Sequence, residues 1–357
     1  MEVDMKALIL SGGKGTRLRP ITHTSAKQLI PIANRPIIYY GLEAIRDAGI
    51  TDIGIVVGET KNEIKAALGD GKKWGVKLTY IEQEVPMGLA HAVKISEKFL
   101  KKDPFVMYLG DNIVKDGVNS FIDEFKKSKP NAMILLAHVK NPQEFGVAEL
   151  KNGKVVRLEE KPKKPKTDLA LVGVYLFDHN IFKAIRHIKP SWRNELEITD
   201  AISYLINNGF RVQSHVITGW WKDTGKLEDL LEANRIILDG LEPSRKGKID
   251  SESKLYGKVV VEKGAIITKS VIRGPAIIGA GAKITNSYIG PFTSVSSNAV
   301  IENSEIEHSM VLENSKIENI SRIEDSLIGK SVVVSKYPHK PAAYRFMLGD
   351  SSQVGVV

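Results

Sequence analysis

The feature that most restricts the fold lies in the last third of the chain. From Val260 onward, apolar anchors recur at Ile266, Ile272, Ile278, Ile284, Ile289, Val295, Ile301, Ile306, Leu312, Ile317, Ile323 and Ile328, at steps of five or six residues. Three such steps make one triangular coil of a parallel β-helix. Asn286-Ser287, Asn303-Ser304, Asn314-Ser315 and Asp325-Ser326 fall at corresponding corners, where short polar residues tolerate a turn. Stacked coils serve as scaffold, oligomer interface or acyltransferase, so the repeat specifies architecture and leaves activity open.

Upstream the pattern is different. At 357 residues the chain exceeds a comfortable single core, and two domains are expected. Short apolar strands at 7–10, 53–57, 77–83 and 105–109 alternate with helices opening at Pro36, at a Thr60/Glu63 capping box, and over 90–101. That alternation specifies a mostly parallel α/β sheet. Residues 132–177 are richer in strand signals, with Asn152-Gly153 as a hairpin turn, and helices follow at 180–188, 197–208 and 226–238. The expected division is a first domain over 1–240, a linker over 241–254, the β-helix over 255–335 and a tail over 336–357.

The first strand runs into Ser11-Gly12-Gly13-Lys14-Gly15-Thr16-Arg17-Leu18-Arg19-Pro20, with Lys27-Gln28-Leu29-Ile30-Pro31 behind it. Three glycines in four residues let backbone N–H groups wrap an anion, and Arg17, Arg19 and Lys27 add mobile cations. A P-loop needs Gly-Lys-Ser/Thr opening a helix, but Lys14 precedes Gly15. A dinucleotide fingerprint leads into a helix that Pro20 and Pro31 leave no room for. The loop is a phosphate cradle of a third kind. In parallel α/β sheets ligands sit beyond the carboxyl ends of strands, where 11–17, 83–90 and 110–112 all fall.

Net charge of +9 and a pI near 9.3 call for an anionic partner. The lysines are scattered, without aromatic platforms or a recognition helix, which favours a phosphorylated metabolite over nucleic acid. The absence of cysteine excludes disulfides, thiolate catalysis and cysteine-bound metals. No apolar run approaches the roughly 20 residues that span a bilayer, and a cytoplasmic protein that does not engage membranes is expected. Asp111, after a buried strand and Gly110, and Asp223, in an aromatic turn, suggest a split magnesium site, because magnesium takes one or two carboxylates plus substrate phosphates. Each is also readable as a turn cap. Lys161 can reach a phosphate as a point charge, and Gln83 with Gly88 can read a base edge. One of Trp220 and Trp221 is expected to support the turn from the core. His91 and His308 have no triad partner within reach and read as ordinary structural residues.

The loop segments together with Pro86-Met87-Gly88-Leu89-Ala90, Leu109-Gly110-Asp111-Asn112, Glu159-Glu160-Lys161-Pro162, Glu195-Leu196-Glu197-Ile198-Thr199-Asp200 and Asp223-Thr224-Gly225 resemble the sugar-nucleotidylyltransferases, in the thymidylyl-transferring branch and its longer form. The resemblance covers roughly residues 5–240. It implies a Rossmann-like, mostly parallel mixed sheet of the nucleotidyltransferase kind, then a left-handed parallel β-helix. It also implies a magnesium-dependent reaction of dTTP with glucose 1-phosphate, without a protein nucleophile. A homo-oligomer is expected because β-helix tails commonly self-associate. Catalytic roles would fall to Arg17, Lys27 and Lys161. The nucleotide would be met by Leu10, Gly12, Gly13, Gly15, Thr16 and Arg17 from the loop. Gln28, Gln83, Pro86, Gly88 and Asp111 would complete its site. Leu89, Asn112, Gly146 and Glu160, with Lys161, Val172 and Tyr175, would take the sugar phosphate, and Asp111 and Asp223 the metal. Alternatives are a UTP-dependent enzyme acting on glucose or N-acetylglucosamine 1-phosphate, an added acetyltransferase in the β-helix, and a non-catalytic nucleotide-sugar scaffold.

Overall fold

Lys6–Ser11 is buried on both faces, as an uninterrupted apolar run requires. Leu8 and Leu10 pack into one core and Ala7 and Ile9 into the other, following the two-residue alternation of a strand. A computed structural model describes residues 5–13, 15–23, 25–115, 117–336, 344 and 346–355. Lys14 of the glycine loop and much of the expected tail lie outside the described residues.

Lys6–Ser11 pairs in parallel with Asp52–Val57 on one side and Phe105–Leu109 on the other, and Lys77–Glu82 extends the parallel set. Leu169–Phe177 turns the sheet antiparallel against Phe105–Leu109, and Ala132–His138, Gly146–Lys151, Lys154–Glu160 and Val212–Val216 complete a mixed sheet of nine strands. This is the expected α/β class.

Two local expectations fail for identifiable reasons. The helix expected over 90–101 divides into Leu89–Ile95 and Glu97–Leu100. At the break Ser96 Oγ donates to the carbonyl of Ala92 at 2.8 Å, a back-bond that competes with regular helix continuation. Thr60 is the N-cap of Lys61–Leu68 but makes no side-chain cap bond, and Glu63 points elsewhere.

The C-terminal strands form three parallel ladders, the faces of a triangular β-helix. Ile267, Ile284, Ile301 and Ile317 stack in register as one fully buried column. A second column is Val261, Ile278, Val295 and Val311, and a third is Ile272, Ile289 and Ile306. Ile266 is outward and exposed while Ile267 points in, and Val261 takes the interior place expected of Val260; Val311 joins the stacked column and Leu312 is buried next to it. In strands of three residues with adjacent apolar side chains, a one-residue slip exchanges the faces without disturbing the spacing. The ladders also begin earlier than expected. Ser244–Arg245 and Lys248–Ile249, within the presumed linker, already pair with the next coil.

Corner residues Asn286, Asn303, Asn314 and Asp325 adopt positive φ, which Asn and Asp tolerate best after Gly. Beside them the hydroxyl oxygens of Ser270, Ser287 and Ser304 each accept the backbone N–H one coil further on, at 3.1, 3.2 and 3.1 Å. The buried serines are thereby satisfied where an apolar column could not serve those amides.

Residues group into two units, each described by itself. One holds the described residues within 1–14, 25–29 and 37–223, the other those within 15–24, 30–36 and 224–357. No helix among the described residues is long and apolar enough to cross a membrane.

Candidate active site

Three strand ends of the sheet unit meet at the glycine turn. A Cβ on Gly12 would stand 3.0 Å from Gln83 Oε1, one on Gly58 2.9 Å from the Gly12 carbonyl, and one on Gly13 3.4 Å from Lys27 Cε. The turn is tight where Gly58 approaches Gly12, and its backbone lies against the side chains of Gln83 and Lys27. Gln83 is largely buried, with its amide nitrogen 3.0 Å from His91 Nδ1 and 3.5 Å from the Gly88 carbonyl. The first contact requires a neutral ring with a bare Nδ1. Burial, assisted by Lys94, holds the His91 pKa below its ordinary value and so keeps the ring neutral.

Gly88 adopts φ +94°, and a Cβ there would meet the Leu196 carbonyl at 2.5 Å. That carbonyl accepts from Ala90 N–H at 3.0 Å, and Leu196 N–H donates to Met87 at 2.8 Å. Two of the motifs thus lie against each other. Leu89 is half-buried at the start of its helix and Pro86 is exposed. Gln28 is 1% exposed, and its Oε1 has no hydrogen-bond partner among the described residues. A buried amide oxygen left over in this way suits a donor on a ligand. Gly110 lies beside it, where a Cβ would be 2.9 Å from the Leu10 carbonyl and 3.4 Å from Gln28 Cγ.

Asp111 is buried and ion-paired with Lys27. Burial pushes its carboxyl up, but the Lys27 ammonium and the Asn112 amide together outweigh burial and hold it below the usual carboxylate range. Asn112 is a clasp. Its Nδ2 donates to Asp111 Oδ1 at 3.1 Å, and its Oδ1 accepts from Trp221 Nε1 at 2.6 Å and Gly173 N–H at 3.2 Å. Trp221–Asp223 pairs antiparallel with Asn112–Val114, which sets Asp223 opposite Asn112 and next in register to Asp111. The backbones of the two aspartates, distant in sequence, thereby become neighbours. Trp221 also meets Phe145 edge-on at 5.5 Å, so it is the tryptophan that supports this turn.

A second cluster forms across the hairpin 146–160, where Gly146 is the cross-strand partner of Glu160. Thr199 Oγ1 donates to Glu160 Oε2 at 3.3 Å, and Arg193 reaches Glu160, Glu195 and Glu197 at 3.6, 3.0 and 3.4 Å. Burial raises the Glu160 pKa, the Glu197 charge adds to it, and Lys161, Arg193 and Thr199 oppose. Tyr175 is buried with its hydroxyl pKa pushed up, first by burial and then by the Glu160 charge. Val172 packs into the core opposite the one that Tyr175 enters. Lys161 follows Glu160 with φ +43° and a backbone bond to the Phe145 carbonyl at 3.0 Å. Gly15, Thr16 and Arg17 fall in the other unit, where Thr16–Leu18 forms a single turn with Arg17 exposed.

The Nucleotidyl transferase family matches residues 6–240. The chain belongs to that family. Two similar nucleotidyl transferases are the glucose-1-phosphate thymidylyltransferases of Streptomyces antibioticus and Streptomyces griseus. They are 56% and 55% identical, each over 99% of both chains, coil included. A solved structure from Bacillus anthracis, assigned as a glucose-1-phosphate thymidylyltransferase in complex with a sucrose, is 38% identical. It covers 68% of this chain and 98% of its own at a TM-score of 0.63.

Nucleotidyltransferases generally depend on a divalent metal, and the residues present fit one. Asp111 and Asp223 supply hard carboxylate oxygens at adjacent register positions, and Asp111 stays ionised. No cluster of three or more His, Cys, Asp or Glu residues able to hold a metal occurs among the described residues, so phosphate and water oxygens would complete the shell. Sequence reading missed His91, whose role appears only once Gln83 is beside it. It also missed Arg193 and Glu63, which act across the fold and carry no local signal.

Proposed function

We propose that this nucleotidyltransferase transfers a thymidylyl group from dTTP to glucose 1-phosphate, forming dTDP-glucose and pyrophosphate, with magnesium as the divalent ion. The observation that carries this reading is the buried Asp111 paired with Lys27 in the unit that also packs Gln83 against Gly12. It gives a cation and an acid for phosphates beside an amide for a base. The two Streptomyces relatives, named for this activity, match along the whole chain.

In the reaction a phosphate oxygen of glucose 1-phosphate forms a bond to the α-phosphorus, and the bond from that phosphorus to the bridging oxygen breaks. Pyrophosphate leaves with the electron pair, and no protein nucleophile or proton is needed. Catalysis is then positioning and charge neutralisation. Arg17 and the glycine loop with Thr16 hold the triphosphate, and Lys27 offsets charge at the α-phosphate. Lys161 grips the sugar phosphate. Gln28, Gln83, Gly88, Leu10 and Pro86 meet the base, while Glu160, Gly146 and Leu89, with Asn112, Val172 and Tyr175 behind them, shape the sugar site. Asp111 and Asp223 would hold the magnesium, which when bound neutralises phosphate charge. The same proposal includes a head over 1–240 and a tail over 336–357, with the coil over 255–335 extended back into the 241–254 stretch, whose strands 244–245 and 248–249 pair with the next turn. It further includes a cytoplasmic homo-oligomer assembled through the coil.

Steady-state pyrophosphate release with dTTP and UTP against glucose 1-phosphate and N-acetylglucosamine 1-phosphate tests the reading. Preference for dTTP and glucose 1-phosphate is expected. Discrimination by one methyl contact is worth about 1–3 kcal/mol, so a preference for UTP of about a hundredfold would reassign the enzyme as a uridylyltransferase.

A further inference from the structure

Within the sheet unit, Asn112–Val114 and Trp221–Asp223 form a two-stranded ribbon separate from the nine-stranded sheet. A lone pair of strands is marginally stable at best, so the register that sets Asp223 opposite Asn112 needs ties to the rest of the unit. Asn112 supplies one through its amide, bonded to Gly173 of the strand Leu169–Phe177. Tyr108, in the strand Phe105–Leu109, supplies another.

The Tyr108 hydroxyl donates to the Asn112 carbonyl at 3.1 Å and accepts from Val114 N–H. Lys115 N–H donates to the Trp220 carbonyl at 2.9 Å, and bonds in an antiparallel pair fall on alternate residues. Ile113 and Lys115 therefore face Trp221–Asp223, while Asn112 and Val114 face the opposite edge. One phenol serves that edge as a further strand would. Tyr108 is 1% exposed, and burial pushes its hydroxyl pKa up, so the donated proton stays on the oxygen. Its ring lies against Gly41, where a Cβ would be 2.6 Å from Cε1 and 3.2 Å from Cζ. Gly41 stands inside the helix Ile37–Asp47, where glycine is unfavourable relative to alanine, and only glycine leaves the ring its place. Phenylalanine would fill the same space without reaching the ribbon.

We propose that Tyr108 is a positioning residue for the divalent ion. By holding the edge of Asn112–Val114 it fixes the turn that carries Asp111 and, through the register, Asp223, and so governs metal affinity without touching the ion. This rests on the reading of Asp111 and Asp223 as the metal acids. Magnesium demands near-ideal octahedral geometry, so a small shift of either carboxylate is felt. The Glu160 cluster has anchors of its own in Arg193 and Thr199, and sugar phosphate binding is spared.

The test is calorimetry on the full-length protein, giving the Kd for dTTP with saturating magnesium and with EDTA. The ratio of the two is the gain due to the metal. Tyr108→Phe should cut that gain about fivefold, leaving the metal-free Kd for dTTP and the KM for glucose 1-phosphate within about twofold. Tyr39→Phe removes a phenol of the same unit, likewise 3.1 Å from a backbone carbonyl, that of Ala67, and should leave the gain unchanged. Gly41→Ala keeps the hydroxyl, displaces the ring and should cut the gain at least as much as Tyr108→Phe. An unchanged gain in Tyr108→Phe overturns the proposal, as does an equal loss in Tyr39→Phe or an equal weakening of metal-free dTTP binding. Should Tyr108→Phe not fold, an unchanged gain in Gly41→Ala overturns it. A wild type in which magnesium brings no gain, or a gain that survives Asp111→Asn, defeats the metal reading itself, and the role of Tyr108 falls with it.

Discussion

Glu63 Oε2 accepts a hydrogen bond from the backbone N–H of Ala26 at 2.8 Å. The acid that sequence reading assigns to a capping box is thus holding the residue immediately before Lys27. Glu63→Ala should lower kcat about tenfold by freeing the Lys27 turn, and Glu63→Gln, which keeps an acceptor oxygen, should retain most activity. Pyrophosphate release measures both. Equal losses in the two variants would show that charge, not the bond to Ala26, is what matters.

Asp111→Asn should abolish divalent-dependent turnover, by at least about a hundredfold, with the fold intact by circular dichroism. Asp223→Asn should raise the magnesium concentration for half-maximal rate. Unchanged pyrophosphate release in Asp111→Asn would remove the metal role from this site.

Glu160 links activity to pH. Burial raises its pKa, reinforced by Glu197, so its ionised form is lost as pH falls through a value above the roughly 4.3 of an ordinary glutamate. The KM for glucose 1-phosphate should therefore rise on the acid side earlier than for an unperturbed carboxylate. Arg193→Gln, which removes an opposing cation, should move that rise to higher pH. A carboxyl with a raised folded pKa destabilises the fold above its unfolded pKa, and that cost is relieved as pH falls. Glu160→Gln should accordingly raise Tm at neutral pH while weakening sugar phosphate binding about tenfold. A flat acid limb in the wild-type profile would refute this account.

His91→Phe should raise the KM for dTTP about fivefold and spare that for glucose 1-phosphate, since it frees the Gln83 amide. Because burial holds the His91 pKa below about 6.5, the Nδ1 acceptor survives until pH drops through that lowered value. Nucleotide affinity in the wild type should then show no histidine step between pH 7 and 8. A step there would contradict the neutral ring.

Ile284 is fully buried in the coil column, and Ile284→Ala should cost about 2–5 kcal/mol, seen as a lowered calorimetric melting temperature. A loss below about 1 kcal/mol would mean that the column collapses around the gap.

What could be read from sequence follows the range of each interaction. Strands such as Lys6–Ser11 and Phe105–Leu109 were legible because a sheet buried on both faces writes a continuous apolar run. The glycine turn was legible because its three glycines stand in the letters at a strand end, whereas the backbone approach behind it, a Cβ on Gly58 lying 2.9 Å from the Gly12 carbonyl, was not. The coil's spacing was legible, yet its inward residue was mistaken at Ile266, where Ile267 beside it takes the one interior place. The bonds of the Asn112 amide to Trp221 and Gly173 were not legible, because they span 109 and 61 residues. The Glu63 bond spans 37 residues, and no local pattern announces a contact of that reach.

The bonded serines of the coil are spaced 17 residues apart, Ser270 to Ser287 and Ser287 to Ser304. An added or deleted segment that matches this repeat keeps every corner in phase, whereas one of five residues would put asparagines where isoleucines belong. The count has slack only at the corners: Ile301 and Ile317 stack in register across 16 residues where Ile284 and Ile301 take 17, so a turn absorbs a single missing residue there while its three faces stay aligned.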